Sequence, residues 1–417
     1  MLGCLLLVVS NGGAVQVSRV TPLDVPGRSS STPWVAAAGP FVAVAWGASI
    51  SGKTDVFVAV SRDGGTTFGS PVQVNRVAGE ARLGGEMPPR IALVPEGASR
   101  VPAIVVVWTA RGKNTEIKTA RSRDGGRTFG SPVTLQSPGA QGDRGWPAVA
   151  LDRDGTAHVL WLDHRGLAAS TGAGSGHAGH RSGAAHDGVA MAQRSGLYYA
   201  SANRTSSAER ELANGVCYCC KTAMVAASDG AIFGAWRHVY PGNLRDIAFT
   251  VSLDGGKSFS TPVRVSQDEW AIEGCPDDGP AMDVDREGTA HVVWPTRIGG
   301  ANPQGALFYA STRDGRAFTP RIRIPTLGSL KPSHPQIVVN NRGRIVVAWD
   351  ETVGGQRVAS ARELRVGAEA SFGAVVTLAP EGRALYPVLA AADTGLVAVW
   401  ATGGAPSRVL ARRFELP

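Results

Sequence analysis

Long apolar runs are missing from this chain: nowhere do about twenty consecutive apolar residues occur, so no membrane-spanning helix is predicted. Lysine is scarce too. Of 42 basic residues only six are Lys (53, 113, 118, 221, 257 and 331), and the 36 arginines are scattered rather than gathered in blocks. Without a basic block interleaved with aromatics, the formal charge of +8 reads as composition, and nucleic acid is excluded as a partner. Cysteine is rare, five in 417 residues, and no CxxCH occurs, which excludes covalently attached c-type haem. What the chain has in quantity is turn-forming residues, 53 Gly and 26 Pro, beside 43% hydrophobic residues; that balance suits many short strands rather than long helices.

The first residues, "MLGCLLLVVSNGGAVQ", carry an apolar stretch followed by small residues, as at the end of a secretory signal, but no basic segment before it. Cys4 precedes the apolar run, so a lipoprotein cleavage site is not expected. The expectation is that 1–15 is the remnant of a signal peptide, that the protein is exported to the periplasm or beyond, and that 16–417 forms one monomeric domain.

Repetition is the strongest signal. "SRDGGTTFGSPVQV" from Ser61, "SRDGGRTFGSPVTL" from Ser122, "SLDGGKSFSTPVRV" from Ser252 and "STRDGRAFTPRIRI" from Ser311 superimpose, with aspartates at Asp63, Asp124, Asp254 and Asp314. The middle gap is twice the others, and "YYASANRTSSAERELA" from Tyr198 fits it as a degenerate copy. In phase with these run segments ending at Trp46, Trp108, Trp161, Trp236, Trp294, Trp349 and Trp400, each an apolar strand, a tight turn and a second apolar strand closed by Trp. Seven units of four strands predict an all-β fold, a single seven-bladed β-propeller, with six blades the fallback. Only "SRVLARRFEL" follows Trp400, one strand short, and "AVQVSRV" near the N-terminus is placed to supply the missing outer strand and leave no open edge.

The turn S-x-D-G-G-x-T-F resembles the Asp box, or bacterial neuraminidase repeat, of sialidases and other propellers. The resemblance implies a sialidase-like propeller with these aspartates on the face opposite the functional site. Their own physics is structural, since a carboxylate can accept backbone N–H groups across a tight loop where glycine allows positive φ.

Propeller topology then puts the loop after each Trp, and the loop leading into each inner strand, on the other face, the top. Cys217, Cys219 and Cys220 of "CYCCKTAM" lead into the fourth inner strand and Cys275 into the fifth, so the four converge at the rim of the channel. Two readings stay open: structural disulfides, or a metal or redox site in which dense thiolates would suit copper or zinc. His158 and His291, both within "TAHV", read as packing residues. A Gly/Ala/Ser/His-rich insertion spans 165–195 and holds His177, His180 and His186; together with His164 just before it, these read first as a solvated linker and second as a metal-gathering lid.

The remaining top loops of units three to six are rich in polar residues, and those of units one and seven are not. They predict a ligand site built from Arg165, Arg237, His238, Tyr240, Arg245, Asp246, Asp277, Asp278, Arg297, His334 and Asp350. Sialidases are known for an arginine triad, a Tyr nucleophile with a Glu partner, and an Asp acid/base; the resemblance implies Tyr386, Glu351 and Asp163 for the last three roles. No arginine triad carries over. "STPWVAAAG" stands where the family's Arg-Ile-Pro motif belongs, and Arg90 in "PPRIAL" lies in the second unit with the order changed. The stretch from Trp236 to Met282, with "CxCC", "NxRD" and "CPxxGPA", is also similar to a group of exported bacterial Asp-box proteins that carry the label sialidase. The leading expectation is a protein that binds a glycan, another polar or anionic ligand, or a periplasmic protein at the top face beside the cysteines. The alternative is an exo-sialidase-type glycoside hydrolase with a remodelled site.

Overall fold

The computed structural model describes residues 16–94, 101–168, 188–201, 209–272, 274, 276–300, 302–367, 369–393 and 395–415. Cys275, and with it part of the expected cysteine cluster, lies outside these, as do residues 1–15 and His177, His180 and His186 of the insertion.

Seven antiparallel sheets form seven blades. Their inner strands are Ser29–Ala38, Arg90–Val94, Arg144–Leu151, Ala223–Ala226, Ala281–Val284, Ser333–Val339 and Leu385–Ala392, and each packs beside the next until the seventh meets the first. Closure is by the N-terminal segment. Gln16–Val17 and Thr21–Pro22 pair antiparallel with Val409–Glu415 as the outermost strand of blade seven, so both ends of the chain share one sheet. The expected seven-bladed propeller is the observed fold. Apart from two short helices within the insertion, Arg165–Ala168 and Gly188–Gln193, the described residues form strands and turns.

The seven tryptophans that close the second strands have no exposed surface. Each is wedged into an apolar layer between blades, where an aromatic buries the largest area available to a side chain. Four of the seven indole N–H groups find partners among the described residues, and those of Trp46, Trp108 and Trp400 do not. Trp161, Trp236 and Trp349 donate to the residue two positions on, Asp163, His238 and Glu351, and Trp294 donates to Asp268.

At the bottom face the repeated aspartates close their own turns. Asp124 accepts from Ser122 Oγ, from the N–H groups of Arg127 and Thr128, and from Thr128 Oγ1 at 2.6 Å. Burial is the largest single influence and opposes ionisation, but the bonds from Thr128, Ser122 and Arg127 together outweigh it and hold the carboxyl down at about 2. Asp63, Asp254 and Asp314 make the same kind of turn. Asp124→Ala is expected to cost about 1 kcal/mol at neutral pH, as for a lost helix cap. Because the folded pKa is depressed, that contribution is present above pH 3.8 and disappears as pH falls toward 2. Urea titrations at pH 7 and pH 3 check it: an equal loss at both would contradict an ionic role.

Candidate functional site

One position of each inner strand governs the top of the channel. The register pairs Trp34, Arg90, Ala148, Ala223, Ala281, Gln336 and Val388 with the residue preceding each blade's tryptophan. One step earlier stand Pro33, Pro89, Pro147, Thr222, Pro280, Pro335 and Pro387, and one step before those Thr32, Pro88, Trp146, Lys221, Gly279, His334 and Tyr386. In blades one, three, six and seven the register slips here into a bulge. The residue before proline is then left-handed, at φ 54° for Thr32, 53° for Trp146, 53° for His334 and 52° for Tyr386. Such φ values are uncommon for bulky residues, and bulges re-aim side chains. The fold thus fixes a ring of seven dissimilar residues.

The rings of His334 and Tyr386 pack against each other, centroids 4.2 Å apart and planes tilted by 43°. Asp350, which has no exposed surface, accepts from His334 Nδ1 at 2.8 Å, from the Tyr386 N–H at 2.7 Å and from Arg357. Across the channel Glu86 reaches in from the loop before blade two. It accepts from the Gly279 N–H at 2.7 Å, the Lys221 N–H at 3.2 Å and Lys221 Nζ at 3.3 Å. Asp278 accepts from the His334 N–H at 3.1 Å. A side chain at Gly85 would collide with the Tyr386 phenol, so the Glu86 loop and Tyr386 are fitted against each other.

The charges here are mutually dependent. Burial pushes Asp278 up to about 6, with Glu86 adding and His334 opposing. Burial also disfavours protonated His334, but Asp350, Asp278 and Glu86 outweigh it and raise its pKa. Asp350 is held below the usual carboxylate range because His334 and Arg357 overcome its desolvation. Burial first, then Glu86 and Asp350, push Tyr386 up to about 12. Two acids with pKa values driven apart, a histidine and a phenol form a set able to hold and move protons. Donor atoms of Glu86, Asp278 and His334 lie within 4.8 Å of one another, near enough for a shared cation. Lys221 already supplies positive charge there.

A cavity of about 150 Å³ opens beside this cluster between blades five and six, lined by Trp270, Asp278, Arg297, Lys331 and Ser333 among others. A larger groove, about 490 Å³, lies on the bottom face between blades two and three. Its carboxylate, Asp124, is committed to its own turn.

Many residues expected at the site are interior struts. Asp163 is fully buried and holds Arg144 and Arg165, and Arg165 is further tied to Glu209 and stacks on Tyr198. Both oxygens of Glu351 are occupied by the N–H groups of Leu327 and Ser329 and the Trp349 indole, so the carboxylates acting on Tyr386 are Glu86, Asp350 and Asp277 instead. Arg237 donates to the carbonyls of Arg245, Asp278 and Pro295. Arg245 binds Asn243 and Cys217, and Asp246 pairs with Arg264, which stacks on Tyr240. Burial drives His238 down to about 4. Arg90 is consumed by the Pro147 and Thr222 carbonyls while its guanidinium lies 3.6 Å from the Trp34 ring centroid. Asp278, Arg297, His334, Asp350 and Tyr386 remain, with Asp277 beside them in the strained φ 51° conformation. Glu86 and Lys221 are not among the residues the sequence pointed to; the proline that recurs at the other ring positions is replaced by Thr222 after Lys221, and only the register of Ala223 against Ala235 places it in the ring.

Below the rim, Cys217, Cys219 and Cys220 form a buried triangle, with Sγ separations of 3.6 Å (217 to 220), 3.9 Å (217 to 219) and 4.0 Å (219 to 220). Cys219 is engaged in a disulfide, whereas Cys217 and Cys220 are free. Cys220 donates toward Cys217, and that bond, with the nearby Arg245 and Arg237, brings Cys217 down to about 7 against its burial.

Fold and ring together define a β-propeller with a polar cluster at the top of its channel. No family model and no curated protein matches the chain. Solved structures do. A GH93 α-L-arabinofuranosidase of Fusarium graminearum, in complex with arabinobiose, aligns over 96% of this chain and 97% of its own at 12% identity and TM-score 0.52. The polysaccharide lyase Uly1 aligns over 92% and 90% at 9% identity and TM-score 0.53. A protein of unknown function from Dyadobacter fermentans aligns over 97% and 100% at 13% identity and TM-score 0.51. At these identities the likeness is one of fold.

Proposed function

We propose that this is an exported glycan-binding propeller that takes an acidic sugar in the pocket between blades five and six. The observation that carries the reading is the lining of that pocket: an aromatic residue, Trp270, whose ring also carries the Arg237 guanidinium, beside two cations, Arg297 and Lys331, with Asp278 among them. An aromatic suits the apolar face of a sugar ring, and a guanidinium suits a carboxylate or sulfate. The arabinobiose complex and an ulvan lyase bound to -[GlcA(1-4)Rha3S]- support the reading as propellers that hold glycans.

A second reading, a glycoside hydrolase, is favoured by the split between Asp278, raised to about 6, and Asp350, held low. In it Asp278 is the proton donor, with Tyr386 and His334 beside it.

Calorimetry with uronate- and sulfate-bearing oligosaccharides tests the first reading. Arg297→Ala is expected to weaken binding by about tenfold to a hundredfold, the loss of one charge-assisted pair. Absence of binding to every acidic oligosaccharide, or an Arg297→Ala variant that binds as the parent does, would refute it. Release of reducing ends that Asp278→Asn abolishes, while binding persists, would select the hydrolase.

A further inference from the structure

The cysteine triangle has dimensions that its free-thiol and disulfide chemistry does not require. In a tetrahedral zinc–thiolate site with bonds of about 2.3 Å, neighbouring sulfurs stand about 3.8 Å apart. The three separations here, 3.6, 3.9 and 4.0 Å, bracket that spacing. The triangle is also dry: Cys217, Cys219 and Cys220 are 1%, 8% and 2% exposed. A guanidinium is already in place. Arg245, with no exposed surface, donates through Nη1 to Cys217 Sγ at 3.4 Å, and its Nη2 is buried with no hydrogen-bond partner among the described residues. An orphaned buried donor is costly, and it indicates that more negative charge belongs here than one sulfur supplies. The charges also close. Three thiolates, one divalent ion and Arg245 sum to zero, which is what a buried site must approach.

Cys219 cannot serve as a thiolate while it is in a disulfide, so the oxidised chain offers only two thiols. We infer that Cys217, Cys219 and Cys220 form a redox-gated site for a thiophilic divalent cation of the zinc class, closed while Cys219 is disulfide-bonded and completed by reduction. The step balances as follows. A dithiol transfers two electrons and two protons to the disulfide, becoming a disulfide itself, and leaves Cys219 and the sulfur it was joined to as two thiols; ion binding then displaces the protons of the three ligand thiols to solvent. This site shares no residue with the sugar pocket, so either proposal can fail alone.

The test uses the full chain and zinc alone. Protein treated with a phosphine reductant, loaded with zinc and desalted is compared by elemental analysis with untreated oxidised protein handled in parallel. One zinc per reduced chain is expected and none per oxidised chain, with Cys217→Ser and Cys220→Ser each losing it. Cobalt substitution adds a second readout, thiolate-to-metal charge-transfer absorption in the reduced parent only. No retained zinc after reduction would overturn the proposal. So would zinc held equally by the oxidised parent, or by folded Cys→Ser variants, which would put the ion at Glu86, Asp278 and His334 instead. The oxidised parent keeps the comparison decisive even where a serine variant does not fold.

Discussion

Lys221→Met is expected to be among the most damaging single changes at the top of the channel, lowering unfolding free energy by about 3–5 kcal/mol at neutral pH. The ammonium and Glu86 are 3% and 4% exposed, 3.3 Å apart, and no other cation is bonded to that carboxylate among the described residues. Methionine keeps the bulk but leaves a buried carboxylate held only by the Lys221 and Gly279 N–H groups. The penalty is therefore the orphaned charge rather than lost packing. Pairing the change with Glu86→Gln separates the two, because the amide still accepts from both N–H groups and carries no charge. The double variant is expected to recover most of the loss in urea unfolding, giving a strong coupling in the cycle. A single-variant cost below about 1 kcal/mol would mean the carboxylate is solvated through the channel and the pair is not a structural unit.

The same residues explain what the sequence could and could not disclose. Blade number was legible because its signals repeat in phase: a buried tryptophan recurs, and the strand pair before it alternates with a turn whose aspartate supplies its own hydrogen bonds. Ring closure was legible because one strand was missing at one end and spare at the other. The site was harder to read because residues at equivalent places do unlike jobs. From sequence Asp163 and Glu351 read as top-loop residues, where exposure is the ordinary expectation, yet the second strands run on through them and both cap an indole N–H two residues earlier. That inversion is local and leaves no mark in composition. The ring residues pose the opposite difficulty, since Thr32, Trp146, Lys221, His334 and Tyr386 share nothing chemically. Their common feature is the proline that follows in all but Lys221, where Thr222 stands and bonds the Trp146 carbonyl at 2.8 Å. Only the strand register shows that these positions are one. Glu86 is further removed still, contributed by a loop whose partners lie more than a hundred residues along the chain.

A channel lined with carboxylates should also record its geometry in the pH dependence of stability. Asp283 sits on the fifth inner strand and accepts the N–H of Val339 at 2.7 Å from the sixth, as well as its neighbour Val284. Burial nevertheless pushes its pKa up to about 6, with Asp285 contributing the same way. The sign is opposite to that of the bottom-face aspartates. Below pH 3.8 the carboxyl is neutral folded and unfolded, and nothing is lost; between 3.8 and about 6 the unfolded state releases its proton while the folded state retains it, so stability falls, and above 6 the loss is complete and levels off. The interval from 3.8 to about 6 corresponds to about 3 kcal/mol at most. Asp283 keeps part of its surface open, so a gain of about 1–2 kcal/mol is the expected reading for Asp283→Asn at pH 7.5. The amide oxygen preserves the bond from Val339 and so the tie between blades. Relative to the parent, the variant should be indistinguishable at pH 4 and progressively more stable up to pH 7, whatever the parent's own profile, since other groups titrate alike in both. An advantage already present at pH 4 would point to packing, and a loss at pH 7.5 would show that the ionised carboxylate is needed to hold the two inner strands together.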